Sequence, residues 1–228
     1  MSTETTAAKV SLVWATPDGD GLIGYMARVS NPANQDNPDV AGLIRYMLRN
    51  HHWSPFEMAS MCVEIETTRD IGRQLLRHRS FSFQEFSQRY ASVETLLAEP
   101  TTRECRLQDE KNRQNSLATD DKGLQQWWEQ QQVRLLNETR SVYVGALERG
   151  IAKEQARAVL MEGLTPTRMY MAGTLRSWIH YTSLREDAAT QKEHREVAVA
   201  CKGLIEKTFP TVASAVWPAV GGSLHGEV

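Results

Sequence analysis

The chain has 228 residues, 41% of them apolar and 24% charged, which suffices for one domain with a real core and excludes disorder. A formal net charge of −2 excludes a general binder of nucleic acid or of anionic membrane surfaces. The three cysteines, Cys62, Cys105 and Cys201, are far apart and never in a C-x-x-C pair, so they exclude a disulfide framework and point to a cytoplasmic, reducing location.

The opening segment MSTETTAAK has neither the basic nor the apolar region of a signal peptide, and no apolar run is long enough to cross a bilayer. No membrane association is expected. Residues 10–15 (VSLVWA) read as a short buried strand, broken by Pro17-Asp18-Gly19. Gly19, Gly21 and Gly24 then match the G-x-G-x-x-G dinucleotide fingerprint between a strand and a helix. The second strand that such a fold needs is missing, because residues 40–48 have helical periodicity.

Pro38 and Asp39 open that helix, which stops near His51 and His52. Adjacent histidines with no third ligand at a suitable spacing predict no metal site. Trp53-Ser54-Pro55-Phe56-Glu57 forms a turn, and residues 61–66 alternate apolar and polar as a half-buried strand.

Residues 69–90, RDIGRQLLRHRSFSFQEFSQRY, carry five arginines and His78 against only two acids, Asp70 and Glu85. Ile71, Leu75 and Leu76 give the first half helical spacing, so Arg73 and Arg77 share one face and Gln74 and His78 another. Guanidinium groups grip phosphate, amides and hydroxyls read a polar ring edge, and the phenyl faces of Phe81, Phe83 and Phe86 stack on planar rings. Together these are the parts of a nucleotide site. The bland alternative is a solvated arginine face followed by buried phenylalanines.

Residues 91–121 read as a polar excursion within the same domain, and residues 123–149 as a long helix with Trp127, Trp128, Val133, Leu135, Leu136, Val142 and Leu147 as apolar contacts. Three more helices are predicted, over residues 153–161, 167–185 and 188–207. In the second of these, Arg176 and His180 share a face, while Arg185 lies about half a turn round. The first eight or so and last ten or so residues are expected to be loosely ordered.

Arg77-His78-Arg79, then seven residues, then Ser87 and Arg89-Tyr90, resembles the R-H-R-x7-S signature of the flavin-dependent thymidylate synthases. His52-Trp53-Ser54-Pro55-Phe56-Glu57 is similar to that family's H-x-[ST]-P-F-E turn. Gln155-Ala156-Arg157, Gly173-Thr174-Leu175-Arg176-Ser177, Leu184-Arg185 and Gln191-Lys192-Glu193 resemble its C-terminal block. The resemblance implies an α/β (α+β) fold: an antiparallel sheet packed among helices, a largely helical C-terminal half and a homotetramer with sites shared between subunits. It implies tightly bound FAD, NADPH and 5,10-methylenetetrahydrofolate as co-substrates, dUMP as substrate and no cysteine nucleophile.

Position by position, the resemblance assigns Ser30, Ser54, Arg77, His78, Arg79, Glu85, Thr174, Arg176 and His180 to the flavin. It assigns Gln74, Arg77, Glu85, Ser87, Gln88, Arg89, Arg157 and Arg185 to dUMP, with Arg185 and Ser87 as the catalytic groups. The chain departs from the commoner pattern at Thr174, where the family often has Asn, at Gln88 (Gly), at Met58 (His) and at Ala189 (His). Competing expectations are a non-catalytic nucleotide binder, a single-stranded nucleic-acid binder using Arg77, Arg79, Phe81 and Phe83, and a dehydrogenase built on the glycine fingerprint.

Overall fold

The computed structural model describes residues 8–90 and 102–218; the termini expected to be loosely ordered fall almost wholly outside this range. Its centre is a four-stranded antiparallel sheet in the order β1-β2-β6-β3. The strands are β1 (Lys9–Ala15), β2 (Ser60–Thr68), β6 (Pro166–Thr174) and β3 (Ser82–Glu85). β2 and β6 pair along their whole length, from Ser60 opposite Thr174 to Thr68 opposite Pro166. Period two governs both, with Met61, Val63, Ile65, Met169 and Met171 fully buried while Glu66, Arg168 and Tyr170 face outward.

Residues 167–185 are therefore not one helix, as expected, but strand β6 followed by α6 (Leu175–Arg185). The alternation of Thr167, Met169 and Met171 with Arg168 and Tyr170 is the strand signal. It was obscured because methionine has no strong β preference and the helix begins without a break.

Among the described residues the other α-helices are α1 (Gly19–Ala27), α2 (Ala41–Arg49), α3 (Arg69–Leu75), α4 (Lys122–Glu148), α5 (Lys153–Ala156), α7 (Lys192–Thr208) and α8 (Pro210–Val216). Ile71, Leu75, Phe81, Trp178, Val197, Cys201 and Ile205 join the buried side chains of the sheet in one core. Burying this set supplies the main drive to fold. α2 ends where His51 adopts φ 55° and the His52 N–H reaches back 2.8 Å to the Met47 carbonyl, a left-handed helix stop that turns the chain toward residues 53–57.

The glycine fingerprint has a packing role. β1 and β2 are antiparallel, so the parallel unit of a dinucleotide fold is absent. A Cβ on Gly19 or Gly24 would lie 2.2 Å from Phe209 or Val40 respectively. The Asp20 carboxylate accepts the N–H groups of Thr211 and Val212 at 2.7 and 3.2 Å, capping α8.

Several expectations are corrected. β1 is an edge strand with Leu12, Val13 and Trp14 exposed in the single chain, not a buried one, because it pairs only with β2. α4 buries only Gln132 and Tyr143, and Trp127, Leu135 and Val142 stand exposed; the helix lies off the main core and packs in a separate small cluster of Tyr143 and Ala156 with Phe86 and Leu160. Residues 153–161 form α5 and a 3-10 turn, Arg157–Val159. The helix expected at 188–207 starts at Lys192, after a turn in which Asp187 accepts the Ala189 N–H at 2.7 Å. Of the excursion, residues 91–101 lie outside the described range, and the rest contains a hairpin of β4 (Arg106–Gln108) and β5 (Ser116–Ala118).

Candidate active site

α3 begins where β2 ends and stops at Leu75, one turn earlier than its periodicity suggested, so Arg77, His78 and Arg79 lie in the turn leading to β3. Gln74 and His78 nevertheless share a face, as expected, because both meet α7. Gln74 Oε1 lies 3.1 Å from His194 Nδ1, and the His78 ring lies 6.0 Å from that of His194 and 4.9 Å from that of Tyr181.

Arg185, at the end of α6, donates from Nε to His78 Nε2 at 3.1 Å. A guanidinium never accepts, so His78 carries its own proton on Nδ1. Burial, then the positive charge of Arg185, then His180 lower the His78 pKa to about 4. Burial, then Arg185, then His78 lower that of His194 to about 4 as well. Both rings are neutral at pH 7. Among the described residues no carboxylate pairs with Arg185, so its charge is held in place by a neutral ring and left uncompensated.

These shifts make a prediction about stability. The unfolded chain binds protons at His78 and His194 near pH 6.5 and the folded chain only near pH 4, so stability is full above that range and lost as pH falls through it. For His194, which is 1% exposed, the loss from pH 7 to pH 5 is about 2 kcal/mol. Urea unfolding at the two pH values checks this, and an unchanged midpoint would contradict it.

The arginines separate by partner. Arg69 and Arg73 both reach Glu85, Arg69 at 3.5 Å, and both also reach Glu162. Thr167 Oγ1 donates to the Glu85 carboxylate at 3.0 Å. Glu85 is thus saturated from within the chain. Arg89 meets Glu154 at 3.5 Å with both side chains about half exposed. Arg157 follows three residues later and is half-buried. Arg77 and Arg79 are exposed and form no ion pair among the described residues.

Phe81 packs edge-on to Trp178 with ring centroids 4.7 Å apart, and Phe86 joins the small cluster under α4. Phe81 pins the flank of β3 to the main core and Phe86 to the small cluster, so neither is offered for stacking, as the bland reading expected. Gln88 is buried, and its Nε2 has no partner among the described residues. An orphaned buried donor costs on the order of 1–3 kcal/mol, so this one suits a ligand or a water.

On the other side of Arg79, Arg176 reaches Glu57 at 2.6 Å and Ser177 Oγ lies 3.3 Å from the Ser80 carbonyl. Thr174 caps α6 by accepting the Ser177 N–H at 3.5 Å, a task that Asn performs equally well. The structure therefore gathers Thr174, Arg176, His78, Arg185 and the turn carrying Ser54 around the start and end of α6. Ser30, Arg89 and Arg157 have no hydrogen bond or ion pair to that group among the described residues. Ser30, Ser54 and His180 are exposed, and Ser87 Oγ accepts the Arg89 N–H at 3.3 Å.

Sequence reasoning missed four participants: Glu154, Glu162, Tyr181 and His194. Glu154, Tyr181 and His194 each lie one residue from a signal that was read (Gln155-Ala156-Arg157, His180 and Gln191-Lys192-Glu193), whereas Glu162 lies beside none. Burial raises the thiol pKa of Cys62 and raises that of Cys201 further, the opposite of what a thiolate nucleophile needs.

Residues 11–211 match the family model described as thymidylate synthase complementing protein. The chain is 48% identical over 217 residues to a probable flavin-dependent thymidylate synthase of Paramecium bursaria Chlorella virus 1, covering 95% of this chain and 99% of that one. It is 52% identical over 197 residues to the flavin-dependent thymidylate synthase of Synechocystis sp., covering 86% and 89%. A solved UMP/dUMP methylase, PolB from Streptomyces cacaoi bound with 5-Br dUMP, is similar with a TM-score of 0.77 and 32% identity over 91% of this chain and 93% of that one.

Proposed function

The chain belongs to the flavin-dependent thymidylate synthase family, and we propose on that premise that it methylates dUMP reductively to dTMP. The whole chain acts as one catalytic domain, with 5,10-methylenetetrahydrofolate as carbon donor and NADPH as reductant of FAD. The observation that carries this reading is Arg185, a half-buried cation steadied by the neutral ring of His78 and matched by no carboxylate among the described residues.

The residues present suit an anionic dinucleotide beside a nucleotide. Among the described residues Arg77 and Arg79 are exposed cations without an ion pair, and the buried Gln88 donor has no partner. Arg77, His78, Arg79, Arg176 and His180 would hold FAD, with Ser30, Ser54 and Thr174 at its polar edges. Bound and reduced, the flavin supplies the hydride that completes the methyl group.

Arg89 and Arg157 clamp the dUMP phosphate, with Ser87 beside them. A surface pair such as Arg89–Glu154 is worth about 0–1 kcal/mol, so phosphate displaces the glutamate at little cost. Arg185 lies at the uracil edge, where its fixed charge stabilises the anion that develops at N3 as C5 becomes nucleophilic. Gln74 presents its amide to the same nucleotide, and Glu85 acts through the arginines it holds. The exposed apolar side chains of β1 and α4 support a homotetramer whose sites are completed by a second subunit.

The test is the visible absorbance of the purified protein before and after dUMP is added. A flavin spectrum that shifts with dUMP is the expected result. A protein that acquires no flavin spectrum when FAD is supplied would overturn the reading.

A further inference from the structure

We propose that His194 is a positioning residue that, with Gln191, fixes which end of the Gln74 amide faces the nucleotide. This rests on the reading of Gln74 as a dUMP contact. The two ends of a glutamine amide have nearly the same shape and opposite hydrogen-bonding character, so a glutamine discriminates only when something else sets its orientation.

The orientation here is set from a charge. Arg103 Nη1 lies 3.2 Å from Glu193 Oε1. Burial alone would raise the Glu193 carboxyl, but the Arg103 guanidinium and hydrogen bonds outweigh it and leave the pKa lowered, so the group is an anion and accepts only. Gln191 must therefore turn its Nε2 to Glu193, at 2.9 Å. That leaves Gln191 Oε1 as an acceptor, and it takes a hydrogen bond from Gln74 Nε2 at 2.7 Å. Gln74 Oε1 then faces His194 Nδ1 at 3.1 Å, so His194 is the Nδ1–H tautomer.

Each step permits one polarity. Gln74 keeps one N–H and one lone pair free, in places that a flipped amide would exchange. His194 is 1% exposed, and its Nε2 has no partner among the described residues, like the Tyr181 hydroxyl beside it. A histidine buried at such cost for packing alone would be expected to satisfy both nitrogens, whereas here only the nitrogen facing Gln74 is used.

The experiment is dUMP titration of the flavin absorbance in the wild type, His194→Leu, His194→Asn and Gln74→Ala. His194→Leu should weaken dUMP about tenfold, the loss of roughly one buried hydrogen bond. His194→Asn, whose amide nitrogen can still donate toward Gln74, should recover most of that affinity. In a Gln74→Ala background, His194→Leu should have no further effect. Unchanged dUMP affinity in His194→Leu, or an undiminished loss when Gln74 is already alanine, would overturn the proposal.

If the leucine variant does not fold, imidazole nitrogen NMR of the wild type decides: the Nδ1–H tautomer supports the proposal and the Nε2–H tautomer overturns it. A wild type that binds flavin but shows no response to dUMP would refute the functional reading instead.

Discussion

Replacing Arg185 by alanine should lower kcat for dTMP formation by about 10²- to 10³-fold while weakening dUMP no more than about tenfold. The asymmetry follows from what the guanidinium does in the free protein. Its Nε is already engaged by His78, and no carboxylate among the described residues neutralises it. Such a charge gains most when negative charge develops next to it in a site shielded from water, and much less when it meets the uncharged ring of bound dUMP. Phosphate binding, which the proposed reading assigns to Arg89 and Arg157, remains.

Arg185→Lys should fall between the two, because it keeps the charge and loses the planar donor that grips His78. Turnover and flavin absorbance measured on the same preparations check the prediction. A variant that keeps its flavin spectrum and turns over within tenfold of the wild type would remove Arg185 from the catalytic step.

What was legible in the sequence was local. Arg77, His78, Arg79 and Ser87 sit in one short stretch, and their chemistry asks for an anion whatever surrounds them. The antiparallel sheet and helical C-terminal half came with the resemblance, and the structure bears them out. The glycine fingerprint was rightly set aside for lack of a second strand, and the antiparallel β1–β2 pairing gives the physical reason. What was not legible was long-range. Glu162 compensates Arg69 and Arg73 from 89 or more residues away, and Gln74 meets His194 across 120 residues, so a charge count within residues 69–90 overstated the free cation. The exposed faces of β1 and α4 were misread as buried because an apolar run signals burial without saying which surface covers it.

Arg103 shows how much of the site depends on such distant contacts. Replacing it by alanine should destabilise the protein by about 3 kcal/mol, a fall of roughly 6–12 °C in Tm for a chain of this size. Its guanidinium is mostly buried and joins four elements: Asp70 Oδ1 at 2.7 Å at the start of α3, Glu193 at 3.2 Å on α7, the Gly163 carbonyl at 3.3 Å before β6, and Thr68 at the end of β2. Its backbone is clasped by the Gln132 amide of α4, which accepts the Arg103 N–H at 2.7 Å and donates to its carbonyl at 3.0 Å. Removing one cation leaves the partly buried carboxylates of Asp70 and Glu193 without the positive charge they share. Arg89→Ala, which breaks a pair about half exposed on both sides, should by contrast shift stability by no more than about 1 kcal/mol. Thermal unfolding at one fixed protein concentration compares the two, since subunit association would otherwise move both midpoints. If Arg103→Ala melts within 2 °C of the wild type, the network is not what holds α3, α4 and α7 together. If it melts lower as expected, its dUMP affinity should fall too, because Glu193 loses the cation that holds it in place against Gln191 and, through it, Gln74.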